Sequence, residues 1–433
     1  MKITREFIHQ IPKTDLHVHL DGSMRLKTIL ELAEEQGVAL PGDPQSEEEL
    51  AEAINMGAIC EDLTDYLKAF DVTLSVMQTE EALYRAAFEL GEDAARENVK
   101  YMEVRYSPLL HTRKGLSYPV IVEAVGEGLR EAKRQYGLMS GQIICGIRHM
   151  TPEASLRMAE LCVAFKHRGV VGFDLAGAEA NNPAKDYREA FYLVRNNNVN
   201  LTIHAGEAYG PESIHQAIHM GGAHRIGHGT RLREDGDLLN YIHDRRIPLE
   251  VCLTSNVQTR AAKSFESHPL PFYMSYGIRC TINTDNRLVT DTTMTEEMVR
   301  AAEYYDLNLG DLRKLMIDGF KSTFMPYRKK RSVTAQACAE FDALVSKMEE
   351  EQGVSAVMDP GVAQELAFQK ATADARTPMA YQVGPEDRGY PMERRVYEVN
   401  QADEEKEPVG GSEAIIDPKT GEKGNKEEVS QAE

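Results

Sequence analysis

The chain has 433 residues, of which 42% are hydrophobic, 7% aromatic and 27% charged, an ordinary composition for a globular protein with ample material for a core. Its formal net charge of −20 opposes phosphate backbones and anionic lipid, so nucleic acid and membrane surfaces are excluded as partners held by a basic field. A small neutral ligand suits such a chain better.

The opening residues Met1 to His9 have neither the apolar run nor the small-residue cleavage site of an export signal. No later stretch reaches the roughly 18 apolar residues of a membrane span, and a cytoplasmic location is expected. The six cysteines, Cys60, Cys145, Cys162, Cys252, Cys280 and Cys338, are scattered without a Cys-x-x-Cys pair and read as reduced thiols.

In chain order, eight apolar, β-branched runs stand out: Thr14 to Leu20, Val99 to Tyr106, Gln142 to Arg148, Val170 to Leu175, Asn200 to His204, Arg225 to His228, Pro248 to Leu253 and Arg279 to Asn283. Segments of helical periodicity separate them, at Met24 to Gln36, Thr79 to Asn98, Tyr118 to Tyr136, Pro152 to Arg168, Lys185 to Asn196, Glu212 to Gly221 and Asp235 to Asp244, with Glu296 to Tyr305 after the last. Only the stretch after the seventh run is a poor helix candidate. This alternation predicts an α/β fold, a (β/α)8 TIM barrel over residues 1–352. Gly42 to Val76 is an insertion between the first and second units, readable either as a lid or as a packing helix. Residues 353–433 form a polar, acidic extension, and from Asp403 onward the chain has almost nothing to bury and is expected to be disordered.

His17 and His19 stand two apart on the first strand, so their side chains leave one face. Strand five runs into His204-Ala-Gly-Glu207, strand six into His228 and strand eight into Asp285. A barrel gathers the carboxyl ends of its strands at one mouth, so these residues converge despite their separation in sequence. Three imidazoles and a carboxylate suit a catalytic zinc that keeps one position for water.

The series His17-Val-His-Leu-Asp-Gly22, Asp174-Leu-Ala-Gly177, His204-Ala-Gly-Glu207, Ile226-Gly-His-Gly229 and Asn283-Thr-Asp285 resembles the motifs of adenosine deaminases in the amidohydrolase superfamily, in order, over about residues 7 to 345. The resemblance implies one Zn2+ per subunit held by His17, His19, His204 and Asp285, a proton donor at Glu207 and an assisting imidazole at His228. It implies substrate contacts at His19, at Asp21 with a ribose hydroxyl, at Gly177 through its backbone N–H with purine N3, and at Asn286. The implied reaction is hydrolytic deamination of adenosine, and of 2′-deoxyadenosine, to the inosine product and ammonia, with a role in purine salvage. Zinc lowers the pKa of water from about 15.7 towards about 7 for attack on purine C6, while Glu207 protonates N1.

Asn286 departs from the family, which often has a second aspartate there; an amide NH2 can still donate to purine N7. Leu63, Tyr66, Leu67 and Phe70 match the family's apolar flap. A two-metal hydrolase with a bridging lysine is disfavoured, because strand four ends without a lysine. The zinc deaminases of cytidine type are excluded by the missing Pro-Cys-x-x-Cys signature. A non-catalytic nucleoside-binding descendant is the rival of another class, and the complete constellation speaks against it. The oligomeric state is not legible.

Overall fold

The computed structural model describes residues 3–60 and 69–352. Eight parallel strands follow one another in sequence order, β1 (Lys13–His19), β2 (Val99–Tyr106), β3 (Met139–Ile147), β4 (Val170–Ala176), β5 (Asn200–Ala205), β6 (Arg225–His228), β7 (Leu249–Val251) and β8 (Cys280–Ile282). They form the expected barrel, with helices between them. The sheet closes just past the end of β8, where Asp285 N–H donates to His17 O at 2.8 Å and His19 N–H donates to Asp285 O at 2.7 Å. The seam is therefore built from three of the residues singled out in the sequence.

Outward side chains such as Met102, Val104 and Tyr106 are buried beneath the helices, as parallel strands covered on both sides require. Helices Glu80–Arg96 and Tyr118–Tyr136 pack so closely that a Cβ on Gly91 would lie 2.5 Å from the Ala132 Cβ. Hydroxyl and amide caps start several helices: Thr79 accepts from Ala82 N–H, and Asn308 with Asp311 forms a reciprocal capping box. The short helix Arg5–Gln10 is capped at its carboxyl end by Lys13, whose Nζ donates to Ile8 O, His9 O and Ile11 O at 2.7 to 2.8 Å. Burial pushes that ammonium down to about 7.

Several elements differ from the expectation. The stretch after β7 does form helix, at Leu253–Gln258 and again at Leu270–Tyr276. The segment expected as one helix over Glu212 to Gly221 is α-helical over Pro211–Gln216 and then widens into a π-turn over Ala217–Gly221. The insertion contributes Glu47–Ala53 and Phe70–Val76, and two further helices, Leu309–Ser322 and Tyr327–Gln352, extend the fold. Leu63, Tyr66 and Leu67 lie outside the described residues, as do residues 353–433. Among the described residues no helix is long and apolar enough to cross a membrane.

Candidate active site

Four barrel strands deliver the candidate residues to the carboxyl mouth. β1 carries His17 and His19 on one face, β5 ends beside His204, β6 ends in His228, and Asp285 follows β8. The ring centroids of His17 and His204 are 4.5 Å apart, those of His17 and His228 4.7 Å, and those of His19 and His204 5.2 Å. His17 Nε2 and His19 Nε2 each lie 3.4 Å from Asp285 Oδ1. One ligand atom from each of His17, His204, His228 and Asp285 fits within a 4.8 Å group, and His19 adjoins it, its Nε2 3.2 Å from His204 Nε2.

These residues fit a divalent cation. His17 Nε2 is buried with no hydrogen-bond partner, and two imidazole nitrogens at 3.2 Å need a proton or a cation between them. The opposite nitrogens are directed by carboxylates. His17 Nδ1 is 2.8 Å from Glu250 Oε2; His204 Nδ1 is 2.9 Å from Asp174 Oδ2, at ion-pair distance but without aligned hydrogen-bond geometry. An Nδ1–H facing a carboxylate leaves Nε2 with its lone pair for a metal. Burial alone would raise the Asp285 carboxyl, but the imidazoles of His17, His228 and His19 set closely around it hold it well below its ordinary range.

The backbone is strained at the same place. His228 and Asp285 adopt left-handed conformations, with φ of 62° and 60°, at about 1–2 kcal/mol each for a residue with a Cβ. That turn swings both side chains from the strand ends toward the common centre.

Glu207 is buried beside this cluster, with Oε2 3.5 Å from His228 Nε2 and Oε1 3.1 Å from Thr259 Oγ1. Burial first, then the charges of Asp285 and Glu179, hold its carboxyl well above the ordinary range. The same Glu179 accepts from the backbone N–H groups of Gly206, Glu207, Ala208 and Tyr209 at 2.6 to 3.1 Å. It therefore both shapes the turn carrying Glu207 and biases that acid toward its protonated form.

A cavity of about 360 Å³ opens over the cluster, a size suited to a small organic ligand. His19, Asp21, Gly177, His204, Glu207, His228, Asp285 and Asn286 line it, as does Phe70 from the insertion. Asp21 is buried, burial pushes its carboxyl up to about 6, and its Oδ1 has no hydrogen-bond partner. Gly177 has φ of 90°, a conformation glycine accepts without strain. Asn286 packs on Gly22, where a Cβ would lie 2.8 Å from the Asn286 Cβ. A larger groove of about 570 Å³ lies at the amino-terminal ends of β3 and β4, but it holds none of these donors and is set aside.

Sequence reading missed the supporting residues Arg105, Glu179, Glu250, Asn256 and His268, and quoted Asp174 without a role. Arg105 is fully buried and donates to Asp174 Oδ2 at 2.9 Å, Glu250 Oε2 at 2.8 Å and Leu16 O at 2.7 Å. One guanidinium thus ties together the two carboxylates that face His17 and His204. Arg105, Asp174 and Glu250 stand on β2, β4 and β7, strands that carry none of the histidines, Glu179 follows β4, and Asn256 and His268 lie in or beside the helices after β7, so the strand-end signal did not reach them.

An eight-stranded βα barrel with such a donor set at its carboxyl mouth defines a hydrolase of the amidohydrolase superfamily. The family model described as adenosine deaminase matches residues 12–339, and the chain belongs to the adenosine deaminase family. An adenosine deaminase of Mycobacterium sp. (strain JLS) is 43% identical over 344 residues, covering 76% of this chain and 94% of that protein. A probable adenosine deaminase of Dictyostelium discoideum is 39% identical over 324 residues, covering 75% of this chain and 42% of that protein, so the chain spans under half of that relative's length. Among solved structures, an adenine deaminase from Arthrobacter aurescens superposes with a TM-score of 0.72 at 25% identity, covering 78% of this chain and 99% of that one.

Proposed function

We propose that the chain is a zinc-dependent adenosine deaminase that converts adenosine and 2′-deoxyadenosine to inosine and deoxyinosine. The observation that supports this most is the meeting of His17, His19, His204 and Asp285 beside a buried Glu207 whose carboxyl is held well above its ordinary range. The three imidazoles and Asp285 would hold the zinc. When bound, zinc supplies a Lewis acid that makes water nucleophilic near neutral pH.

The remaining chemistry belongs to the chain. Attack at purine C6 pushes electron density onto N1, and Glu207 delivers a proton there, because burial favours the protonated form of its carboxyl. Left as a carboxylate, Glu207 then takes the hydroxyl proton of the C6 adduct and passes it to the amine, which leaves as ammonia. His228 and Asp285 flank the attacking water and orient it. Asp21, with an oxygen that has no partner in the protein, takes a ribose hydroxyl as donor, the Gly177 N–H meets N3, His19 borders the sugar and Asn286 donates to N7.

Deamination of adenosine, 2′-deoxyadenosine, adenine, AMP and N6-methyladenosine, followed by the ultraviolet change of the purine, tests the reading. Adenosine and deoxyadenosine should be the best substrates, and Asp21→Ala should raise KM for both by about tenfold, one charge-assisted hydrogen bond, while leaving adenine unaffected. Adenine outpacing adenosine would remove Asp21 from its role.

Glu179→Gln removes a negative charge that raises the Glu207 carboxyl. Since Glu207 works protonated, activity falls as pH rises through its pKa. Lowering that pKa should move the alkaline limb of kcat/KM to lower pH, read from a pH–rate profile. An unmoved limb would separate Glu179 from the acid.

A further inference from the structure

A hydrogen-bond chain runs from helix Leu270–Tyr276 through helix Leu253–Gln258 to His228, and its direction can be read from its far end. That end is the backbone N–H of Leu270, which only donates, 3.1 Å from His268 Nδ1. His268 is buried, and burial pushes its imidazole down to about 3, so the neutral ring has one donor and one acceptor nitrogen. With Nδ1 accepting, the ring hydrogen is on Nε2, 3.2 Å from Asn256 Oδ1.

This orients the amide. Its oxygen faces His268 and its NH2 faces His228 Nδ1 at 3.0 Å. The opposite orientation would set NH2 against the His268 N–H, donor against donor. An amide nitrogen only donates, so His228 Nδ1 accepts, and the His228 hydrogen sits on Nε2, the atom 3.5 Å from Glu207 Oε2. The contrast with its neighbours is sharp. Carboxylates face Nδ1 of His17 and His204 and leave Nε2 bare, whereas an amide donor faces Nδ1 of His228 and leaves Nε2 protonated.

We propose that Asn256 and His268 are positioning residues that lock His228 in the Nε2–H tautomer, so that His228 donates a hydrogen bond into the site. A protonated Nε2 is no metal ligand and takes no proton from water. Of the two imidazoles competing for the last ligand position, His19 therefore has it, although His228 lies inside the same 4.8 Å group. The kinetic consequence rests on the deaminase reading; the tautomer does not.

The test uses the full chain loaded with zinc and labelled with ¹⁵N in its histidine rings, with the His228 signal identified by its loss in His228→Gln. Nitrogen shifts and couplings should place the hydrogen on Nε2; a hydrogen on Nδ1, or a metal-bound Nε2, overturns the proposal. Asn256→Asp substitutes an acceptor for the donor and calls the His228 hydrogen to Nδ1. It should lower kcat by roughly 10²-fold or more with KM within about threefold and zinc content unchanged. His268→Gln, which keeps a donor facing Asn256, should retain about tenfold more kcat than His268→Leu. A kcat for Asn256→Asp within about threefold of the parent's, or equal rates for the two His268 variants, would also overturn it. If the parent turns over no purine nucleoside, the deaminase reading falls and the nitrogen assignment alone decides the tautomer.

Discussion

Glu207→Gln should fold, bind zinc and bind a purine nucleoside, yet lose about 10³-fold or more in kcat, the range for withholding a required transition-state proton. The substitution changes one group, a carboxylic acid for an amide of the same shape, so the contact to Thr259 and the packing persist. What disappears is a transferable proton. The amide NH2 can still donate a hydrogen bond to N1, so ground-state binding survives while the C6 adduct lacks its counterproton. The expected signature is therefore a fall in kcat with KM nearly constant, measured by steady-state kinetics beside metal analysis and ligand titration. Loss of zinc along with activity would indicate damage to the cluster instead; retained turnover would take the acid's role away from Glu207.

The barrel itself was largely legible in the sequence. Strands Val99–Tyr106 and Arg225–His228 have the expected bounds, because β-branched runs between long amphipathic segments leave few alternatives. The motif residues were legible too, since strand ends in a barrel must converge. The supporting layer was not. Glu103 and Arg105 alternate with Met102, Val104 and Tyr106 in β2, the pattern of a strand with one wet face, yet both charged side chains are buried inside the barrel. Arg225 joins them, donating to Glu103 at 2.6 Å and to Glu250 at 2.5 Å. Period-two alternation tells which residues share a face, and only closure of the sheet tells that the face is interior. Helix Leu253–Gln258 was hidden differently. Its Thr, Ser, Asn and Val are poor helix formers, and tertiary bonds hold it: Thr254 N–H donates to Glu297 at 3.2 Å, and Gln258 Nε2 to Gly57 O at 3.1 Å. Asn256, which meets His228, was hidden with it.

Arg105→Met should cost about 3–5 kcal/mol of stability, the range for removing one partner of a buried ionic network. Asp174 and Glu250 would remain buried as carboxylates, Asp174 without the guanidinium that donates to it and Glu250 left to Arg225. In the parent, burial opposes both charges, but the His204 ring and the Arg105 guanidinium beside Asp174, and the Arg105 and Arg225 guanidiniums beside Glu250, hold both carboxyls below their ordinary range. The sign of the pH dependence follows. Groups depressed in the folded state contribute stability above the unfolded carboxyl pKa of about 4 and lose it as pH falls through the folded value. The deficit of Arg105→Met should therefore be largest at neutral pH and shrink on acidification, as the stranded carboxylates take up protons. Arg105→Lys should recover only part of it, because an ammonium lacks the planar fork that reaches both carboxylates and Leu16 O. Loosened carboxylates hold His17 and His204 less firmly, so zinc affinity should fall about 10- to 100-fold, the usual effect of losing such partners. Denaturant unfolding at several pH values, with and without zinc, reads both effects. Stability within about 1 kcal/mol of the parent at neutral pH would mean that water or a shifted cation replaces Arg105, and that the charged interior tolerates a gap that buried ionic networks elsewhere do not.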